Sequence, residues 1–191
     1  NGQSRSIVLT GNVYDLFFDG TNYVPLMSYL SSQCKADPDG GKKGITQVLF
    51  ELNHPIEVVG SSVDELKGIW KVYNDKSLED RLSDSNSNAT FALELLRQIA
   101  ECNRKSKISK NNLLMFIEGA DMLLPEEEIS RMSLSDRKRV TIVHDWFSDP
   151  AFMAAGDSVI LISESRSSLH SRISKLPHVL SVDVPLPDQE D

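Results

Sequence analysis

The sequence predicts an α/β fold with a largely parallel, five-stranded sheet and helices on both faces. Two largely apolar runs, residues 113–117 and 158–162, have the length and composition of strands buried on both sides of a parallel sheet. Segments with apolar residues at helical spacing lie between the predicted strands. This alternation of strands and helices is typical of parallel sheets that helices cover.

The strands and helices can be assigned in order along the chain. The five predicted strands are residues 7–10, 45–52 (with residues 56–59 as an extension), 113–117, 158–162 and 180–184. One helix is predicted from Val24, with Pro25 in its first turn. Further helices are predicted at a capping box of Ser62 and Glu65, after a polar loop at residues 83–88, and at a cap formed by Ser135.

Composition narrows the classes of protein that this chain can be. The 191 residues fit one domain, so residues 1–191 are treated as a single unit. A net charge of −8 disfavours nucleic-acid binding, and no apolar run approaches the roughly 20 residues of a membrane span. Cys34 and Cys102 lack metal or redox spacing, which predicts free thiols in a reducing compartment, the cytoplasm.

The ends of the later strands carry polar and acidic residues in a particular order. Residues 113–117 lead directly into Glu118-Gly119-Ala120-Asp121, and residues 158–162 lead into Ser163-Glu164-Ser165. The last predicted strand is followed by Pro185-Leu186-Pro187-Asp188. With these features, residues 89–188 resemble the AAA+ family of P-loop ATPases, in which a Walker B strand, a sensor 1 strand and a final core strand follow one another.

The resemblance carries expectations about fold and context. It implies a RecA-like, P-loop-type three-layer sandwich with degenerate Walker A and Walker B motifs. It also implies the N-terminal domain of a larger AAA-type ATPase, cut before the helical lid, so we expect the chain to be a fragment.

The residues that phosphate chemistry requires are missing at two places. Phosphate capture uses the motif GxxxxGK[ST] after the first strand, because its backbone N–H groups and lysine hold the phosphates. Residues 11–20 read GNVYDLFFDG, without lysine and with two aspartates. At the Walker B position, Glu118 replaces the Mg²⁺-binding aspartate and Gly119 replaces the catalytic base. We therefore expect no catalytic residue and no cofactor, with ATP and Mg²⁺ kept as an alternative.

Several residues remain as candidate sites. Glu118 and Asp121 form a degenerate Walker B pair that is a candidate cation site, although the histidines and cysteines show no metal-binding spacing. Ser163 occupies the sensor 1 position. Arg166 and Arg172 are candidates for arginines that reach into the ATP site of a neighbouring subunit. In the first half, Tyr14, Phe17 and Phe18 are predicted either to plug the vacant nucleotide site or to contact a partner.

Three functions fit these patterns. The leading hypothesis is a non-catalytic AAA+-like domain that serves as a scaffold, assembly or adaptor module. Its partners would be other AAA-type subunits or a following ATPase domain, and protein clients, without nucleic acid or membrane. One alternative is a divergent domain that binds and hydrolyses ATP through Glu118 and Asp121. Another is an unrelated α/β domain for a small ligand, which would have a different strand order.

Overall fold

A computed structural model describes residues 5–34, 44–60 and 63–186. In chain order, the strands are β1 (Ser6–Gly11), β2 (Leu16–Phe18), β3 (Tyr23–Pro25), β4 (Gly44–Phe50), β5 (Glu57–Val59), β6 (Asn111–Ile117), β7 (Ser158–Ile162) and β8 (Val179–Val184). Six of them form the central sheet in the order β5-β4-β6-β7-β1-β8. Neighbouring strands in it are parallel, except that β5 runs antiparallel to β4. Strands β2 and β3 form a separate antiparallel hairpin.

Eight helices are found within the described ranges. They are α1 (Leu26–Gln33), α2 (Val63–Tyr73), α3 (Leu78–Ser85), α4 (Ala89–Lys105), α5 (Ala120–Leu123), α6 (Leu134–Ser148), α7 (Pro150–Ala154) and α8 (Ser171–Ser174). Polar side chains begin five of them by accepting a backbone N–H in the first turn, as N-caps do. These caps are Ser77, Asn88, Ser133, Asp149 and His170. No helix in the described part of the chain is long and apolar enough to cross a membrane.

The two faces of the sheet are covered unequally. The larger core joins Val8, Val48 and Met115 of the sheet to helices α2, α3, α4, α6, α7 and α8. A smaller core on the other face joins Leu9 and Ile162 to Leu26 at the start of α1. Helices therefore lie on both faces, which confirms the predicted α/β class with a mostly parallel sheet.

An aromatic cluster anchors the larger core. The ring centroids of Trp146 and Phe152 lie 5.7 Å apart, and those of Phe147 and Phe152 lie 6.1 Å apart in a stacked arrangement. All three side chains are almost completely buried. Aromatic pairs at such distances add to the free energy gained from burial.

The sheet has one strand more than predicted. Residues 56–59, expected to extend the strand at 45–52, instead fold back as the antiparallel edge strand β5. The reversal is made by Asn53, whose φ of 67° is left-handed, and by a hydrogen bond from the His54 N–H to the Glu51 carbonyl. Asparagine tolerates this conformation better than most residues.

Two predicted helix starts and one predicted loop also differ from the structure. Val24 lies in strand β3 rather than in a helix, because a residue before proline is driven to extended backbone. Helix α6 is capped by Ser133 rather than Ser135, since the Ser133 Oγ accepts the Asp136 N–H at 3.0 Å. The loop predicted at residues 83–88 is shorter, because α3 continues to Ser85. The predicted cap at Ser62 and the terminal Pro187 and Asp188 lie outside the described residues.

Candidate functional site

The candidate site is the carboxyl-terminal edge of the sheet beside strands β1 and β7. From β1 the chain crosses to β4 on one side, whereas from β7 it crosses to β8 on the other. Open α/β sheets bind ligands at the edge where neighbouring connections diverge in this way. The segments that follow β1, β4, β6 and β7 therefore decide what this edge can bind.

The first backbone N–H groups at the end of β1 already have partners within the protein. The Gly11 N–H donates to the Glu164 carbonyl at 3.2 Å, and the Asn12 N–H donates to the Val184 carbonyl at 3.1 Å. The next N–H, of Val13, donates to the Gly11 carbonyl at 2.8 Å. A phosphate loop needs successive free N–H groups, and here three successive ones are already bonded within the protein.

A β-hairpin occupies the rest of the segment where a phosphate loop would lie. Phe17 pairs with Val24, and Phe18 pairs with Tyr23, before the chain enters α1 at Leu26. The turn is held by Asp19, whose carboxylate accepts the N–H groups of Asn22 and Thr21. These bonds, that of Asn22 first, lower the pKa of Asp19 below its ordinary value.

The side chains of the hairpin divide between two faces. Phe17 faces inward and lies 5.7 Å from the ring of Tyr29 on α1. Tyr14 and Phe18 stay more than half exposed, so neither fills the edge of the sheet as a plug would. The side chain that is buried at this point is Val13. Partner contact by Tyr14, Phe17 and Phe18 stays a prediction.

Carboxylates gather around Tyr14 at this edge. Partial burial raises the pKa of the Tyr14 phenol, and the charges of Asp121, Glu164 and Glu118 raise it further, in that order. Glu118 and Asp121 follow β6, whereas Glu164 follows β7, and the fold brings all three to one place. Their combined negative charge repels a triphosphate.

The segment after β6, predicted to be a degenerate Walker B motif, combines a half-buried carboxyl with a left-handed glycine. Burial raises the pKa of Glu118, Glu51 raises it further, and His54 opposes the shift. Gly119 begins α5 with a φ of 66°, a conformation that costs other residues about 1–2 kcal/mol. A glutamate base at this position would therefore require strained backbone.

Asp121 lies in the first turn of α5, and its buried Oδ1 has no hydrogen-bond partner. Among the described residues, no group of three or more His, Cys, Asp or Glu side chains is placed to hold a metal ion. The cation site at Glu118 and Asp121 thus stays a prediction.

A comparison with known protein families agrees with the α/β fold described above. Residues 1–185 match the family model described as AAA+ chaperone, N-terminal Rossmann-like domain. The chain belongs to this family. Membership excludes the alternative of an α/β domain unrelated to ATPases, and it confirms the resemblance that the strand ends indicate.

A solved structure has a fold similar to that of this AAA+ chaperone N-terminal domain. A chain in the structure of the E. coli MS115-1 HORMA:CdnC:Trip13 complex superposes with a TM-score of 0.57 at 15% sequence identity. The alignment covers 96% of this chain and 50% of that chain, so this domain spans half the length of its structural neighbour. At this identity the likeness concerns the fold alone. Comparison with curated protein sequences gave no match.

The remaining predicted residues of this AAA+ chaperone N-terminal domain are Ser163, Arg166 and Arg172. Ser163 is fully buried, and its hydroxyl donates to the Ser165 carbonyl at 2.9 Å instead of facing the edge. Arg166 donates to the Ser174 carbonyl at 2.7 Å, which ties it to the end of α8. The side chain of Arg172 lines a separate cavity beside α6. Action of either arginine on a neighbouring subunit stays a prediction.

The hairpin is the feature that sequence reasoning missed. Its signal was present, since the β-prone runs at Leu16–Phe18 and Tyr23–Pro25 flank the turn formers Asp19-Gly20-Thr21-Asn22. Two strands of three residues each are short, and the helical spacing of Val24, Leu26, Met27 and Leu30 concealed the second.

Proposed function

We propose that this domain is a non-catalytic scaffold, assembly or adaptor module of a larger AAA-type ATPase. The observation that supports it most directly is the β2–β3 hairpin, which stands where a phosphate loop would be and presents apolar side chains to solvent. Family membership supplies the AAA+ context. The alternative of a divergent ATP-binding domain has less support, because the edge is acidic and the N–H groups of residues 11–13 are occupied.

The outward face of the hairpin has the character of a protein contact surface. Tyr14, Leu16, Phe18 and Tyr23 are exposed by 57%, 59%, 56% and 71% respectively. Leu16 and Phe18 lie on one face of β2, and Tyr23 is paired with Phe18 on the same face. Exposed clusters of large apolar side chains mark interaction sites, and aromatic residues are enriched at the centre of interfaces.

The charges around this face indicate the kind of partner. Asp15 and Asp19 flank the apolar residues, and Glu164 and Asp121 lie beside Tyr14. Complementary charge favours a partner with an apolar patch rimmed by lysine or arginine. We propose an AAA-type ATPase domain with such a patch. Protein clients form a second class of partner, consistent with the neighbour's presence in a complex with HORMA and CdnC.

The first prediction concerns nucleotide. We expect the domain to bind ATP·Mg²⁺ with a Kd weaker than about 1 mM, because phosphate would meet carboxylates and because the N–H groups of residues 11–13 are already bonded within the protein. Isothermal titration calorimetry measures this directly. A low-micromolar Kd that is lost in the Glu118→Ala and Asp121→Ala variants would instead establish the divergent ATP-binding alternative.

The second prediction concerns the hairpin. The double substitution Phe18→Ser and Tyr23→Ser should weaken association with the AAA-type ATPase domain, supplied in trans, by about thirtyfold, the effect of losing two aromatic anchors worth about 2 kcal/mol together. Sedimentation velocity measures this association. The fold should persist, because Phe18 and Tyr23 contact mainly each other.

A matched variant controls for loss of exposed apolar surface in general. Val72 and Tyr73 are 68% and 45% exposed on α2, so Val72→Ser with Tyr73→Ser removes a comparable apolar area elsewhere. This control should associate as the wild type does. If the control loses association and the hairpin variant keeps it, the contact lies elsewhere. If the wild-type domain does not associate, the assembly role is rejected.

A further inference from the structure

A second site lies beside helix α6, and it shares no residue with the hairpin. It is a cavity of about 170 Å³. Its walls combine apolar and basic side chains: Ile129, Met132, Arg137, Val140, Thr141, His170 and Arg172. Met132 and Val140 are buried and give the cavity an apolar floor. Arg137 and Arg172 are exposed at its rim.

His170 supplies a buried hydrogen-bond donor without an acceptor. Only 3% of this residue is exposed, and its Nδ1 accepts the Arg172 N–H at 3.2 Å. An imidazole whose Nδ1 accepts a hydrogen bond carries its proton on Nε2. That Nε2 is buried and has no partner among the described residues. Buried polar groups are nearly always paired, so an unpaired N–H in the wall of a cavity indicates an acceptor that binds there.

The two arginines give the cavity positive charge that nearby carboxylates do not neutralise. Arg131 pairs with Glu128, and Arg139 pairs with Asp136, but the side chains of Arg137 and Arg172 have no ion pair within the described ranges. The Glu126 carboxylate, on the segment before α6, accepts the Ser171 N–H. Unpaired guanidinium groups bind carboxylates and phosphates well because their N–H groups form a fixed fork.

The volume limits the size of the ligand. Sites for drug-sized molecules measure about 300–1,000 Å³, and this cavity is well below that range. A nucleotide is therefore too large, whereas one apolar side chain bearing an acidic group is of suitable size. The apolar floor favours an organic acid over inorganic phosphate, because the floor offers phosphate no hydrogen bonds.

We propose that this cavity binds a carboxylate carried on a single apolar group, held by Arg137, Arg172 and the Nε2–H of His170. The same chemistry is offered by the C-terminal residue of a partner peptide and by a small free apolar acid. Capture of a chain end by basic and N–H groups is a recurring mode of peptide recognition. The proposal is independent of the hairpin, so either one can fail alone.

Titration of the full chain with N-acetyl-leucine tests the proposal. NMR of the His170 imidazole and the arginine side chains should show saturable shifts at concentrations of up to about 10 mM. N-acetyl-leucinamide, which has the same apolar group without the charge, should leave these signals unchanged. Equal shifts with both compounds, or none with either, would overturn the proposal.

Substitutions locate the binding and distinguish the two sources of the ligand. Arg137→Gln and Arg172→Gln should each weaken binding about three- to tenfold, because each removes a charge-assisted hydrogen bond at the rim. Lys138→Gln is the matched control, since Lys138 adjoins Arg137 but pairs with Glu94 at 2.8 Å. If all three variants bind N-acetyl-leucine with the same affinity, the ligand does not bind in this cavity. A peptide ending in leucine that binds at least as tightly as N-acetyl-leucine identifies a chain end, and weaker binding of the peptide identifies a free acid.

Discussion

Replacing Phe152 by alanine is expected to lower the free energy of unfolding by about 3–5 kcal/mol. Phe152 is fully buried and contacts both Trp146 and Phe147, so its removal leaves a cavity inside the larger core. The two neighbouring aromatic rings are rigid and lie on α6, which limits how far the core can collapse into that space. Urea unfolding followed by circular dichroism measures the change.

The adjacent residue provides the control for Phe152. Met153 follows it on α7 but is 37% exposed, so Met153→Ala alters the same helix without opening a buried cavity. We expect this control to change the free energy of unfolding by about 0.5 kcal/mol or less. If Phe152→Ala and Met153→Ala lower the free energy of unfolding by similar amounts, α7 itself, rather than the aromatic cluster, determines the stability.

The substitution Gly11→Ala should cost about 2–3 kcal/mol of stability and disturb the hairpin. Gly11 has a φ of 87°, which side-chain-bearing residues rarely adopt. A methyl group there would also meet the Asp183 carboxylate and lie 2.9 Å from the Val184 carbonyl oxygen of β8. Because the N–H groups of Gly11 and Asn12 connect this loop to residues 164 and 184, displacement should move Val13 and the hairpin that follows.

Gly20→Ala separates backbone strain from crowding in this second prediction. Gly20 has a φ of 102°, yet a methyl group there would meet no atom within 4 Å. Gly20→Ala should therefore lower the free energy of unfolding only by the backbone strain, about 1 kcal/mol. Thermal unfolding compares the two variants, and amide NMR signals of residues 13–25 report the position of the hairpin. Equal costs at both glycines would refute the role of close contact with β8.

Sequence reasoning located the edge of the sheet correctly because its evidence is local. Residues 158–162 were predicted as a strand and form β7 with the same bounds. The run at 113–117 lies within β6, and the acidic residues after it begin where that strand ends. A continuous apolar run followed by charge marks a buried strand end regardless of what surrounds it.

Other parts of the candidate site depend on distant residues and could not be predicted. The cluster of Asp121, Glu164 and Glu118 around Tyr14 arises because β7 lies between β6 and β1 in the sheet. The cavity at His170 joins residues of α6 to His170 and to Arg172 of α8, which lie about thirty positions further along the chain. No periodic pattern connects such residues.

By itself, the sequence determined the alternation of strands and helices, the family resemblance and the lack of a phosphate-loop motif. These properties follow from runs of neighbouring residues, whose apolar spacing and side-chain chemistry can be recognised without the fold. The tertiary structure alone decided that the N–H groups of residues 11–13 are occupied, that the hairpin exposes its aromatic face, and that the His170 donor has no acceptor among the described residues. Each of these depends on which strands and helices become neighbours, and exposure and pairing are set by those neighbours.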